Sequence, residues 1–285
     1  MRALIVLSFA LMLVTGARAY AEPLHVLYLT KSAGFEHGMV KRDGDAPAHS
    51  EQVLSEIVGR MGGEITVTKD ASVVNAENLK NYDVVVFYTS GMLTEAGTDG
   101  QPPMGPKGLD ELLAWIKAGG GFVGYHSAND SFHSSGDTVS PYVEMIGGEF
   151  ETHGPQFKGT LVKVDDDHPA IASLEDGWSL WDEWYVSKNL NKEDMHVLAL
   201  LDPGKVRKHI KLYNRPNYPI IWCRAYGDGR VLYNALGHRE DVWDNETFQQ
   251  IVVENIEWAA GKGPLDADPN YDEVVPTTIE PEDKE

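Results

Sequence analysis

Histidines and carboxylates recur where strands should end and loops begin: His37, His126, His153, the pair Asp182 and Glu183, and His238. Histidine titrates near neutrality, and a carboxylate beside tryptophan can be raised by burial, so general acid–base chemistry is one reading. Metal binding is a second. Imidazole and carboxylate suit zinc and similar ions, and His126, His153 and His238 are the candidate ligands. The chain has no HExxH or paired CxxC spacing, so such a site would be assembled from distant loops. Nucleophilic catalysis is a third. Gly124-Tyr125-His126-Ser127-Ala128 has the layout of a strand-to-helix elbow, but a histidine holds the apex where a nucleophile would stand. Ser127, one residue further on, is the weaker nucleophile candidate.

These residues need a sheet edge to meet at. Residues 119–130 supply the clearest case: three glycines stop a helix, Phe122 and Val123 make a short buried strand, and His126 follows. In open α/β sheets ligands bind outside the carboxyl ends of the strands. Residues 83–89 form an unbroken β-branched run that predicts a central parallel strand. Residues 24–29 and 64–68 read as strands too, with a helix between them through Val53, Leu54, Ile57 and Val58, capped by Ser50. The loop that carries His37 leaves the first strand. Gly227-Asp228-Gly229-Arg230 reads as a tight hairpin, and residues 247–259 as a closing amphipathic helix. The pattern predicts an α/β fold: a mostly parallel sheet with helices on both faces and an antiparallel extension.

The 285 residues carry a formal net charge of -20, which disfavours nucleic acid and anionic membrane surfaces as partners. Arg2, an apolar run and Ala17-Arg18-Ala19 predict a signal peptide over 1–21, hence a periplasmic or secreted protein with no membrane span in its mature chain. One α/β domain is expected over 22–262, followed by a mobile acidic tail over 263–285. Cys223 is the only cysteine and sits in an apolar run, so it reads as an inert buried thiol. Trp181, Trp184 and Tyr185 flank the two carboxylates and could offer ring faces to a sugar, or belong to the core.

Several segments together resemble the ThuA-like (trehalose utilisation) proteins of the class I glutamine amidotransferase-like superfamily. They are Gly34-Phe35-Glu36-His37, Gly121 to Ala128, Ile146 to Phe150 with His153, His168-Pro169, Asp182 to Tyr185, Tyr226 to Val231, and Leu236-Gly237-His238. The resemblance implies a flavodoxin-like fold. It also implies that the glutaminase reaction is absent, since the elbow holds His126 and Cys223 lies elsewhere. It further implies a role in glycoside breakdown, as a lyase or hydrolase of glycosides or 3-keto-glycosides, with an oxidoreductase in the same pathway as partner. On this reading His126, Glu183, His153 and His238 are catalytic, with Glu183 or His126 as base and His153 and His238 as ligands or enolate stabilisers. His37, Ser127, Asp182, Trp184 and Tyr185 would contact the carbohydrate. A divalent metal such as zinc is the only cofactor implied. The alternative is a carbohydrate-binding or scaffolding domain without catalysis.

Overall fold

The computed structural model describes residues 23–279; the expected signal peptide over 1–21 lies outside the described residues. The chain opens with β1 (His25–Leu29), α1 (His49–Arg60), β2 (Glu64–Thr68), α2 (Ala76–Leu79), β3 (Val84–Phe87), α3 (Gly108–Lys117), β4 (Gly121–Tyr125) and α4 (Pro141–Ile146). It continues through β5 (Glu149–His153), β6 (Phe157–Lys163), β7 (Ser179–Asp182), β8 (Tyr185–Lys188), β9 (His196–Asp202), β10 (Tyr218–Tyr226) and β11 (Gly229–Asn234). The helices α5 (Glu240–Trp243), α6 (Glu246–Ala259) and α7 (Tyr271–Val274) close it.

The strands form one nine-stranded sheet in the order β2-β1-β3-β4-β11-β10-β9-β6-β7, with β5 and β8 paired separately. From β2 to β11 every neighbouring pair is parallel. From β11 to β7 every pair is antiparallel. This is the flavodoxin-like α/β fold with an antiparallel extension that the sequence predicts. The hairpin turn falls at Gly227-Asp228, and β3 lies buried in the parallel half. All four of its residues are buried, as a central strand of a parallel sheet requires.

Two local readings change. Ser50 lies inside α1 rather than capping it, because its Oγ donates to the Met39 carbonyl at 2.7 Å and accepts from Tyr28 Oη at 2.9 Å. Ala48 is the cap residue, and its N–H donates to the Glu51 carboxylate at 2.9 Å. The acidic segment from 263 is not loose in its described part. Asp266 and Asp268 accept through their backbone carbonyls from His168 Nε2 at 2.9 Å and His196 Nδ1 at 2.6 Å, and Asn270 bonds the edge of β9. The main chain docks while the carboxylates that dominate its composition face outward.

Candidate functional site

The parallel half of the sheet delivers three histidines to one edge. β1 leads into the loop bearing His37, β4 ends one residue before His126, and β11 ends four residues before His238. The carboxylate comes from the other half: β7 ends at Asp182, and Glu183 follows it before β8. His37, His126, Glu183 and His238 each present a donor atom, all within 4.8 Å of one another.

His126 is the pivot. Its backbone has φ +43°, a left-handed conformation that costs a residue of this size roughly 1–3 kcal/mol. Tyr233 Oη holds it there by donating to the His126 carbonyl at 2.6 Å. This is the sharp elbow that the sequence suggests, with the imidazole at its apex. His126 Nδ1 lies 3.1 Å from the Ala235 carbonyl. A carbonyl only accepts, so Nδ1 carries the hydrogen and Nε2 presents a lone pair to the centre of the group. That lone pair is 3.0 Å from His238 Nδ1 and 3.6 Å from Glu183 Oε2, and His238 Nδ1 is 3.1 Å from the same carboxylate oxygen. Ligands held 2.0–2.2 Å from a zinc-like ion stand roughly 3.0–3.5 Å apart, so the triangle has the dimensions of a cation site.

Electrostatics favour neutral imidazoles around one anion. Burial depresses His37 to about 2, with His126 and His238 adding to the effect and Glu183 opposing it. Burial also lowers His126, against the pull of Glu183. Burial alone would raise Glu183, but its hydrogen bonds to His126 and His238 outweigh that and hold the carboxyl well below its ordinary range. Imidazoles held neutral beside a carboxylate suit a divalent ion.

Around this group the fold builds a supporting layer. Asp182 is fully buried and accepts from the backbone N–H groups of Glu183 at 2.9 Å, Gly237 at 2.8 Å and His238 at 3.1 Å. Burial still pushes its carboxyl up to about 7. Asp182 thereby locks the two turns that carry Glu183 and His238. Tyr88 Oη and Trp243 Nε1 both donate to the Gly237 carbonyl and fix the second turn from beneath. Tyr185 Oη is 3.0 Å from His37 Nε2, and its ring packs 4.3 Å from that of His126.

His153 stands apart from the four. It is the last residue of β5, its side chain is 42% exposed, and Nδ1 lies 3.2 Å from Glu183 Oε1 and 2.9 Å from the Gly154 carbonyl. Two acceptors at Nδ1 place the hydrogen there and leave Nε2 as a free lone pair. Beside His238 lies a shallow depression, open to solvent and lined by Met39, Gln156, Arg239, Asp241 and Asp244.

The structure therefore joins His37, His126, Glu183 and His238, and sets His153 against them. His37 takes the place among the clustered donors that the sequence reading gave to His153. Three predicted carbohydrate contacts move. Asp182 and Ser127 are buried, the first as a backbone anchor and the second with its Oγ meeting no partner among the described residues. Trp184 is fully buried, with Nε1 donating to the Phe157 carbonyl at 2.9 Å and its ring lying against Gly159. It is core: Trp184→Ala should cost about 3–5 kcal/mol, read by denaturant unfolding, and a loss under 1 kcal/mol would contradict the assignment. Cys223 is buried and its thiol is pushed well up by that burial, which suits the inert role expected.

The sequence reading missed a second charged group, next to the elbow. Glu149 is fully buried and meets His133 at 3.1 Å, Asn189 at 2.9 Å and Lys188 at 3.4 Å, and His133 also meets Asp130 at 3.0 Å. Burial opposes ionisation of Glu149, but Ser134, Asn189, His133 and Lys188 together bring it from 4.5 down to about 2. A carboxyl lowered on folding stabilises above its unfolded value and loses that contribution as pH falls through the folded one. The melting temperature of the wild type should thus exceed that of Glu149→Gln at pH 6. The gap should close between about pH 4.5 and 2. A gap that stays constant over that interval would contradict the assignment. His133 is raised, first by Asp130, with burial opposing, so its contribution is full below 6.5 and fades as pH rises through its folded value.

An open α/β sheet with a polar cluster at the carboxyl edge of its parallel strands defines a flavodoxin-like protein whose site sits where that fold places ligands. The ThuA family profile, described as trehalose utilisation, matches residues 25–259, and the chain belongs to that family. This membership gives it a carbohydrate-related function. No curated protein matches the sequence. Among solved structures it is similar to a ThuA-like protein from Bacteroides uniformis, with 20% identity, 89% of this chain and 98% of the other covered, and a TM-score of 0.65. A ThuA-like protein from Parabacteroides merdae gives 18% identity, coverage of 90% and 98%, and a TM-score of 0.62. At these identities the likeness is one of fold.

Proposed function

We propose that the chain is an exported carbohydrate-active enzyme that cleaves 3-keto-glycosides, with His37, His126, Glu183 and His238 holding a divalent cation. The observation that carries the reading is the convergence of the His126 Nε2 lone pair, fixed by Ala235, on His238 and Glu183. A bound cation would supply Lewis-acid polarisation of a ketone oxygen. The chain's own residues supply the rest. His153 Nε2, free and exposed, removes the C2 proton that the C3 ketone acidifies. The C2–H electron pair forms the enolate; as the ketone re-forms, a C1–C2 double bond arises and the C1–O bond breaks. The imidazolium then returns its proton to the leaving oxygen. The products are an unsaturated 3-keto sugar and the free alcohol, and addition of water to the former gives overall hydrolysis. Glu183 is a poor base here, because both its oxygens already face imidazoles.

The ketone has to be installed first, so an oxidoreductase acting on the glycoside precedes this step. The test is release of p-nitrophenol by the full chain from p-nitrophenyl 3-keto-glucoside and from the unoxidised glucoside. Release from the ketone alone is expected. Release at equal rates from both would point to ordinary glycoside hydrolysis, and release from neither would overturn the enzymatic reading.

A further inference from the structure

Four large apolar side chains are exposed among the described residues: Phe35, Trp181, Leu265 and Ile279. Trp181 alternates with Asp182 along β7 and so points to the opposite side of that strand from the site. Leu265 and Ile279 belong to the segment after α6. Phe35 alone of the four touches the cluster: its ring meets that of His37 edge to face at 4.8 Å, while the side chain is 68% exposed.

Its backbone is held firmly for an exposed residue. Ser90 Oγ donates to the Phe35 carbonyl at 2.6 Å, and the N–H groups of Ala33 and Gly34 donate to the Ser90 carbonyl at 2.8 and 3.0 Å. Thr98 Oγ1 donates to the Gly34 carbonyl. Gly91, at φ +77°, lets the two loops touch, since a Cβ there would collide with the Ala33–Gly34 backbone. A ring that contributes little burial therefore rises from an anchored backbone, edge-on to His37 and beside the polar cluster. Anchoring the backbone beforehand lowers the entropy lost when a ligand settles on the ring.

We propose that Phe35 is the stacking platform for the substrate: the C–H face of a pyranose ring lies on the phenyl ring and brings the sugar's polar edge toward His153 and His238. This rests on the carbohydrate reading above. Its role is binding and orientation rather than chemistry, and because the side chain is exposed, its variants should fold as the wild type does.

The test uses the full chain and methyl glucoside, which has no aromatic aglycone to confuse the contact and, without the C3 ketone, is not cleaved. Dissociation constants come from calorimetry, and the sugar C–H proton shifts from NMR. Phe35→Ala and Phe35→Leu should each weaken binding about tenfold, while Phe35→Trp keeps it, because the ring and not merely apolar area is required. The wild type should shift the sugar C–H protons upfield, and Phe35→Leu should abolish that shift. Binding in Phe35→Ala within twofold of wild type, alongside measurable wild-type binding, would overturn the platform and leave the carbohydrate reading intact. No binding of methyl glucoside by the wild type would overturn the platform, and no turnover of its 3-keto form besides would overturn both.

Discussion

His126→Asn should lower turnover of a 3-keto-glycoside about 10³-fold and weaken divalent-cation binding by at least ~10²-fold, with little change in melting temperature. Asparagine is chosen because it tolerates the left-handed backbone that His126 adopts at φ +43°. The elbow can keep its shape while the Nε2 lone pair disappears from the triangle it forms with His238 and Glu183. The magnitude follows from the several kcal/mol of charge stabilisation that a Lewis acid supplies. Turnover within tenfold of wild type would remove His126 from the centre of the site.

Asp182→Ala should unfold at a temperature roughly 6–12 °C below wild type, from a loss of about 3 kcal/mol spread over the backbone donors it strands. Those donors belong to Glu183, Gly237 and His238, and each is given to a carboxylate oxygen of Asp182. Asp182→Asn should fall between the two, since one amide oxygen can still accept while its NH₂ opposes the remaining N–H. Activity should fall with both changes, because the turns bearing Glu183 and His238 lose their common anchor. A melting temperature for Asp182→Ala within about 2 °C of wild type would show that the three hydrogen bonds are dispensable.

Much of this site was legible because one topological rule governs where parallel strands send their last residues. His37, His126 and His238 each follow a strand of the parallel half, so reading the strands places the histidines together. Glu183 obeys no such rule. It arrives from the antiparallel extension, and β5, β7 and β8 are short strands of mixed polarity whose pairing depends on tertiary contacts. The sequence reading therefore set His153, which ends one of these short strands, where the structure places His37. Trp184 was ambiguous for the same reason. An aromatic beside a carboxylate can line a cleft or fill a core, and the absence of a side chain at Gly159 settles it by making room for the ring. In its described part the segment from 263 docks through main-chain carbonyls, which its composition, a report on side chains, does not reveal.

The central claim is that four side chains from both halves of the sheet hold a cation that acts on a keto-sugar. It is tested most directly by following p-nitrophenol release from p-nitrophenyl 3-keto-glucoside by the full chain, before and after EDTA treatment and on adding back Zn²⁺ or Mn²⁺. The account predicts release that is lost on chelation and restored by the ion. Release that proceeds at an unchanged rate after complete removal of divalent metal would contradict it.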